Sequence, residues 1–404
     1  MIKSILKPVL IVSVFVLFYS CKEWNKEIDN AFTEEKIAAE SKKVNDFFQM
    51  SFDRGVDNYP EFQTRLGIKK DYGKLNDNSP AVAERDLKIN KEELQWLTDS
   101  VNVDALSKDA LLSYKLYKQS VENSIDDYKY RLHNYPVNQM RGAHSSKPAF
   151  LINMHRIDSI SDAKAYVSRL NGFKKYFAQL VENLKAREAI GVVPPKFVFD
   201  KVIQTSQNIL TGAPFDKSNK ENTILSDFTS KVEKLDISDS EKDNLIASAL
   251  NTLIYSVKPA YEGLIEFMKG QKTRANSDHG AWKFPDGEAF FNNALKRTTT
   301  TDLTADEIYK IGLDEVARIH GEMDAIRQKL KFEGTLQEFF QFMKTDKQFY
   351  YSADTEGKAA YLKEAVHLID SMKTRLDEIF ITKPKADIIV KAVEPFREKS
   401  AGKA

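Results

Sequence analysis

The chain has 404 residues, with 60 basic residues against 59 acidic ones and a formal net charge of +1 at pH 7. The two signs are interspersed without long runs of one charge, which argues against a nucleic-acid partner. A single cysteine excludes an intramolecular disulfide, and 42% hydrophobic residues, including 25 Phe and 16 Tyr, are enough to bury a sizeable core.

The first 21 residues have the layout of a secretory signal peptide. Lys3 and Lys7 precede the apolar run Val9–Tyr19, which is followed by the small Ser20 and then by Cys21. The run is too short to cross a bilayer, since a spanning helix needs ~20 apolar residues. A small residue directly before the cysteine is typical of a lipoprotein signal, in which the cysteine is acylated and becomes the first residue.

We therefore expect an acylated Cys21 to anchor the mature protein to a membrane of a bacterial cell envelope, facing the periplasm or the outside. Acylation would leave no free thiol for catalysis. The alternative is an ordinary signal peptide that ends beside a buried cysteine. After removal of residues 1–20, residues 21–32 are predicted to form a polar tether. No Gly/Ser-rich or Pro-rich linker divides the remainder, so residues 33–404 are predicted to form one helical domain.

Helix start signals recur along this domain. In four places a capping residue stands three positions before a carboxylate that can reach back to the cap's backbone N–H. These pairs are Asn90–Glu93, Ser159–Asp162, Ser238–Glu241 and Thr304–Glu307. Pro259 is expected to kink or divide the helix that begins near Ser238, and one short strand is predicted at 150–154.

Two stripes of apolar residues with alternating three- and four-residue spacing predict long helices. One lies between residues 161 and 187, where Gly191 and Pro194-Pro195 then stop the helix, and the other follows Thr304. Their members are Tyr166, Leu170, Phe173, Phe177, Leu180 and Leu184 in the first, and Ile308, Gly312, Val316, Ile319, Met323, Ile326 and Leu330 in the second. Core packing explains most of the aromatic residues, and the predicted fold class is mostly α-helical.

The motifs of common catalytic sites are absent from the sequence. None of the six histidines belongs to a His-Glu-x-x-His pair, which would place two zinc ligands on one helix face. His155 and Asp158, like His367 and Asp370, stand three residues apart, a spacing more often found in surface hydrogen bonds than in metal sites. No G-x-S-x-G elbow, P-loop or dinucleotide-binding glycine motif occurs. The residues alone therefore identify no active site.

The stretch 279–291 differs from the helices around it. It combines a histidine, a tryptophan, two glycines and a proline with acidic residues. Pro285-Asp286-Gly287 predicts a turn in which the glycine accepts a positive φ. Trp282 either lines a cleft or caps a hydrophobic core beneath the loop.

The same stretch resembles a known family. The resemblance is to the bacterial family called domain of unknown function 885, and it is carried by the blocks Trp282–Phe291, Leu295–Thr304 and Glu307–Val316. A fourth block, Val393–Ala404, is similar to a segment in the middle of that family. Further agreement is found at 66–67, 75–80, 139–170 and 191–195. The resemblance spans residues 33–404.

The resemblance implies a multi-helix, zinc-metallopeptidase-like domain, often secreted or lipid-anchored. Family members carry a motif of the form His-Glu-x-x-Pro-Gly-His-His after the segment similar to Val393–Ala404. In such a hydrolase the histidines and a distant glutamate hold zinc, and the glutamate beside the first histidine activates water. This chain reaches Ala404 before any of it. No ligand is carried over, zinc is expected only for a full-length relative, and the domain is expected to be truncated before its zinc-binding part.

Two functions from different classes follow. The first is a cell-envelope lipoprotein that resembles a zinc-dependent peptidase but holds no catalytic or metal residue of its own. It would contribute a cleft wall for a peptide substrate, for which the candidates are His279, Trp282, Asp286, Glu288 and Arg397. The second is a non-catalytic lipoprotein that binds peptides or glycans. The sequence leaves open whether the chain is an enzyme.

Overall fold

The computed structural model describes residues 32–396 and residue 398, so Cys21 and Arg397 lie outside the described residues. Within 32–396 helix follows helix and no strand is formed, apart from isolated bridge pairs such as Val137–Gly142. This confirms the mostly α-helical class. The α-helices are α1 Glu34–Asn58, α2 Pro60–Arg65, α3 Pro80–Ser100, α4 Lys108–Asp127, α5 Ala143–Met154, α6 Ile160–Ala189, α7 Phe197–Ile209, α8 Thr223–Val232, α9 Asp239–Thr252, α10 Lys258–Arg274, α11 Gly287–Thr299, α12 Ala305–Lys329, α13 Leu336–Thr345 and α14 Thr355–Lys373.

The described chain forms two compact units. The first comprises residues 32–62 and Pro80–Lys129. Its core contains Phe47 of α1, whose ring stacks on that of Trp96 of α3 at a centroid distance of 3.9 Å. Tyr114 of α4 is buried in the same core.

The helix start predicted at Asn90 is wrong. Asn90 lies inside α3, which begins at Pro80; proline suits a first turn because its missing N–H would have no helical partner there. Glu93 is a buried carboxylate and not a capping group. Its hydrogen-bond donors are Ser51, Arg54 and Tyr117. These donors belong to α1 and α4, so the local pattern around Asn90 could not reveal them.

The second unit comprises residues Gln63–Ser79 and, in the described part, 130–396 and 398. α6 runs through its core and packs against α9, α10 and the turn between them. The stripe predicted for α6 is confirmed, because all six members are at most 3% exposed. The stop signal is confirmed as well: α6 ends at Ala189, and Gly191 follows with φ at 80°.

The strand predicted at 150–154 is wrong, because these residues form the end of α5. α5 buries residues on more than one side, among them Phe150, Leu151 and His144. Its apolar run therefore lacks the 3.6-residue period of a half-buried helix and cannot be told from a buried strand by pattern alone.

The long helix that starts after Ser238 is divided near Pro259, as the sequence predicts. α9 passes into a π-helical turn at Leu253–Val257, and α10 continues with Pro259 in its first turn. The wider turn accommodates a residue that lacks a backbone N–H.

Three of the predicted capping residues cap their helices. Ser238 and Thr304 form complete capping boxes with Glu241 and Glu307. Ser159 accepts a hydrogen bond from the backbone N–H of Asp162. The Asp162 carboxylate accepts from Nζ of Lys69 at 2.7 Å and from the backbone N–H of Asp158 at 3.0 Å.

A buried polar network fixes the segment before α3 against α6. Arg169 is fully buried; its Nε donates to the carbonyl of Lys74 at 2.9 Å and its Nη2 to Oγ1 of Thr64 at 2.5 Å. Nη1 donates to Nδ1 of His155 at 2.8 Å, and Nε2 of His155 donates to the carbonyl of Asp162 at 3.0 Å. Both ring nitrogens are thus used in the neutral form, and burial lowers the pKa of His155 to about 3.

α12 forms where the second stripe predicts a helix, yet all members of the stripe except the half-buried Ile308 are exposed. No residue of α12 is buried, and its principal neighbour among the described helices is α13. The spacing therefore specified the helix and its apolar face, but the described residues do not cover that face.

Candidate functional site

The loop that the sequence singled out connects α10 to α11. α10 ends at Arg274, Ala281–Lys283 form one 3-10 turn, and α11 begins at Gly287. The predicted turn is present, but the positive φ lies on Asp286, at 49°, and not on Gly287. Gly287 is required for a different reason: a Cβ there would stand 2.3 Å from the carbonyl oxygen of Ala281.

The side chain of Phe284 packs against the rings of His133 and Phe290, which form an apolar layer beneath the loop. Its side chain is 9% exposed, and its ring centroid lies 5.9 Å from those of His133 and Phe290. Nε2 of His133 donates to the carbonyl of Pro285 at 2.9 Å. Phe284 therefore caps this layer, whereas Trp282 is 72% exposed.

Lys283 joins the loop to the turn that follows α6. Its Nζ donates to the backbone carbonyls of Val193 at 2.7 Å and Asp278 at 3.1 Å. The backbone N–H of Lys196 also donates to the carbonyl of Asn276 at 2.9 Å. Burial lowers the pKa of Lys283. These bonds hold the neighbouring Trp282 beside the end of α6.

A cavity of about 570 Å³ lies between this loop and the end of α6. Its volume is within the range of ~300–1,000 Å³ that is usual for small-molecule sites. Its lining is formed by Glu188, Gly191 and Val193 from the end of α6, and by Arg274, Ala275, Asn276, Asp278, Trp282 and Lys283 from the loop. One wall is thus an exposed indole, and most of the rest is polar.

The charged groups of the cavity are held in place by a paired guanidinium and carboxylate. Nε and Nη2 of Arg274 donate to the two carboxylate oxygens of Glu188 at 2.6 and 3.0 Å. Nε2 of Gln271 adds a third donor at 3.2 Å. The Arg274 hydrogen bond lowers the pKa of Glu188, with a smaller contribution from Gln271. Glu188 therefore stays ionised and acts as an acceptor, not as an acid.

Of the five site residues predicted from the sequence, one lines the cavity, three lie outside its lining and one lies outside the described residues. Trp282 lines the cavity, whereas His279, Asp286 and Glu288 are exposed and lie outside its lining. The ring of His279 lies 5.8 Å from that of Phe197. Arg397 and Cys21 are outside the described residues, so their roles stay predictions.

Sequence reasoning missed the ionic part of the cavity. Glu188 and Arg274 end two helices and are 86 residues apart, so no local motif joins them. Lys283 follows Trp282 directly, and its polar position in an otherwise aromatic turn was the one local signal for it.

The arrangement suits binding more than bond-breaking chemistry. It offers an apolar platform, N–H donors and an ionised carboxylate, while Glu188 lacks the raised pKa that would suit a general acid. Among the described residues, no group of three or more His, Cys, Asp and Glu side chains is placed to hold a metal ion. None of the helices in that part of the chain is long and apolar enough to span a membrane.

The fold is shared with solved bacterial proteins. The crystal structure of "the putative lipoprotein from Colwellia psychrerythraea" matches with a TM-score of 0.76 at 20% identity, over 90% of this chain and 64% of that chain. The structure of "a putative lipoprotein of unknown function from Shewanella oneidensis" matches with a TM-score of 0.53 at 15% identity, over 89% of this chain and 60% of the other. The chain thus spans less than two thirds of either protein, and at these identities the likeness concerns the fold.

The sequence comparison gives the family. Residues 60–404 match the family described as "Bacterial protein of unknown function (DUF885)", and the chain belongs to that family. This confirms the resemblance carried by the blocks at 282–316 and 393–404. No curated protein matches the chain.

Proposed function

We propose that this chain is the substrate-holding part of a zinc-peptidase-like protein anchored in the bacterial envelope, and that it holds peptides in the cavity beside Trp282. The observation that carries the proposal is the indole of Trp282, which lines the cavity and is 72% exposed. Such a ring offers a large, rigid apolar surface together with one N–H donor, and sites of this kind commonly use it as an anchor.

The fixed charges of the cavity support a peptide as the ligand. Lys283, Arg274, Glu188 and Asn276 already bond within the chain, but each keeps donor or acceptor capacity for a further hydrogen bond. A short peptide carries amide donors and acceptors along its main chain and an opposite charge at each end. It can therefore use the remaining donors and acceptors of the cavity at once.

Hydrolysis belongs, in this proposal, to residues that this chain does not contain. The family resemblance implies a His-Glu-x-x-Pro-Gly-His-His motif, and the 404-residue sequence has none. Zinc titration of the purified chain is expected to give no tight stoichiometric site, since three protein ligands are the usual minimum for a catalytic zinc. Tight zinc binding that is lost in His279→Ala would contradict this.

Peptide binding is tested with the purified chain and a set of di- to tetrapeptides, followed by calorimetry. Trp282→Ala is expected to weaken binding about tenfold, because loss of an aromatic anchor costs more than ~1 kcal/mol. Tyr255→Ala is the matched control, since Tyr255 is 71% exposed and lies outside the cavity lining. If no peptide binds, or if both variants weaken binding equally, the cavity is not the peptide site.

A non-catalytic glycan-binding role is the second candidate, and the same exposed indole favours it. Aromatic faces also pack against the apolar faces of sugar rings, and Asn276, Glu188 and Lys283 could bond to hydroxyl groups. The calorimetric series therefore includes envelope oligosaccharides. Binding of a glycan with no affinity for any peptide, again lost in Trp282→Ala, would replace the peptide proposal with this one.

The membrane anchor is proposed at Cys21, which lies outside the described residues. In cells, the native chain is expected to incorporate labelled fatty acid and to fractionate with membranes, and Cys21→Ala is expected to lose both properties. A Cys21→Ala protein that stays in the membrane fraction would contradict the lipoprotein assignment. A native protein that is secreted without label would identify an ordinary signal peptide.

A further inference from the structure

The apolar stripe of α12 forms a continuous exposed strip. Its last five members are between 37% and 62% exposed, in the order Val316, Ile319, Met323, Ile326 and Leu330. Single exposed aliphatic side chains are common on protein surfaces, but an uninterrupted row along one helix face marks an interaction surface.

The spacing of the strip fits a second helix. Val316, Met323 and Leu330 stand at the a positions of a heptad, and Ile319 and Ile326 stand at the d positions. From Val316 to Leu330 the large apolar side chains keep to these two positions, a spacing that a partner helix can follow, and exposed Tyr309, Ile311 and Leu313 extend the apolar surface before them. α12 has 25 residues, so a partner helix could follow it for up to ~37 Å.

The borders of the strip make a membrane surface a poor partner. The g border contains Glu315, Glu322 and Lys329, and the e border contains Leu313, His320 and Arg327. Both glutamates are paired with Arg318, at 2.7 and 2.6 Å. Helices that lie on anionic membranes carry Lys and Arg along the polar face that borders the apolar one. The mixed borders of α12 lack such a row of Lys and Arg, which favours a protein partner over a lipid surface.

The solved relatives contain polypeptide beyond the part that matches this chain. The fold match takes in 90% of this chain but 64% of the Colwellia protein, and 60% of the Shewanella protein. We propose that the strip of α12 is the docking face for a helix from the additional polypeptide that these longer relatives contain. The proposal rests on the exposed strip and is independent of the peptide cavity beside Trp282.

The Colwellia structure provides the first test. The side chains that superpose on Val316, Ile319 and Met323 are expected to be buried there by a helix outside the 64% that matches this chain. The proposal is overturned if those side chains face solvent, if residues within the matched part cover them, or if a second copy of that protein covers them.

Sedimentation and dye binding on the purified chain provide the second test. The native chain is expected to be a monomer that binds a dye for exposed apolar surface, and Ile319→Glu is expected to lower dye fluorescence about twofold. Ala317→Glu is the matched control, because it introduces the same charge on the opposite, exposed face of α12.

Neither variant is expected to change the melting temperature of the chain. A dimer that dissociates in Ile319→Glu but not in Ala317→Glu would make a second copy the occupant of the strip and overturn the proposal. A lower melting temperature in Ile319→Glu alone would mean that the strip packs within this chain, and would also overturn it.

Discussion

α6 and α12 carry the same apolar spacing but lie in opposite environments. The six stripe residues of α6 are at most 3% exposed, whereas five stripe residues of α12 are at least 37% exposed. α6 is surrounded by α9, α10 and the turn between them, while α13 is the principal described neighbour of α12. Periodicity therefore specifies a helix and its apolar face, but whether that face is buried depends on the elements around it.

The largest expected effect of this difference is on the free energy of unfolding when a stripe residue is truncated to alanine. Phe173→Ala in α6 is expected to lower the free energy of unfolding by about 4 kcal/mol, because it removes a fully buried ring and leaves a cavity. Ile319→Ala in α12 is expected to change it by less than ~0.5 kcal/mol, since its site is already open to water. Urea unfolding followed by circular dichroism measures both. Equal losses would show that α12 is packed in solution.

The same comparison shows how much of the fold was predictable from sequence. The α6 stripe, its stop at Gly191 and the capping boxes at Ser238 and Thr304 depend on neighbours a few residues away, and they were predicted correctly. The buried role of Glu93 was not, because its partners come from α1 and α4.

The candidate site follows the same rule. Trp282 was identified because it stands in a loop of unusual composition. The pair formed by Glu188 and Arg274 joins the ends of two helices that only the fold brings together. The strand predicted at 150–154 failed for a related reason: α5 is buried on several sides, and only its surroundings show that it is a helix.

A second pair of substitutions compares a buried arginine of α6 with an exposed arginine of α12. Arg169→Met in α6 is expected to lower the free energy of unfolding by about 3 kcal/mol, since it removes the donor for the buried acceptors on His155 and Thr64 and for the half-buried carbonyl of Lys74. Arg318→Met in α12 is the matched control, because Arg318 lies at the surface and pairs only with exposed glutamates. No measurable change is expected there. Unchanged stability in Arg169→Met would show that the network is dispensable.

Acid is expected to lower the stability of the folded chain through two buried histidines, one in α5 and one between α5 and α6. Burial lowers the pKa of His155 to about 3 and that of His144 to about 4, against 6.5 for the free side chain. For His155 the nearby cations Arg169 and Lys231 act in the same direction, and a hydrogen bond to Asp162 opposes them. Both imidazoles are therefore neutral in the folded chain at neutral pH.

The sign of the pH effect follows from these lowered values. Between pH 6.5 and about 4 the unfolded chain binds protons that the folded chain does not, so stability is fully present above pH 6.5 and is lost as the pH falls. The loss is ~1.4 kcal/mol per pH unit for each histidine. The lowered carboxylates Asp162 and Glu188 add their own losses only below their unfolded pKa values of 3.8 and 4.5.

Urea midpoints measured at pH 7.5, 6 and 5 test this dependence above the unfolded pKa values of Asp162 and Glu188. His144→Gln is expected to reduce the slope by about half, because one of the two titrating groups is removed. His320→Gln, at an exposed position on α12, is the control and is expected to leave the slope as it is. A native chain with equal midpoints at all three values would contradict the assignment of buried, neutral imidazoles.

The smallest expected effect separates two kinds of exposed apolar residue. Trp282→Ala is expected to leave the free energy of unfolding within ~0.5 kcal/mol of the native value, as for the exposed stripe of α12. Phe284→Ala, two residues away, is the control and is expected to destabilise the chain, because its ring caps the layer around His133.

Trp282 also stands alone among polar cavity groups, whereas the α12 residues form a row, so dye binding should fall in Ile319→Glu but not in Trp282→Ala. A large stability loss in Trp282→Ala would show that the indole packs against the chain in solution, and would remove it as a free binding surface.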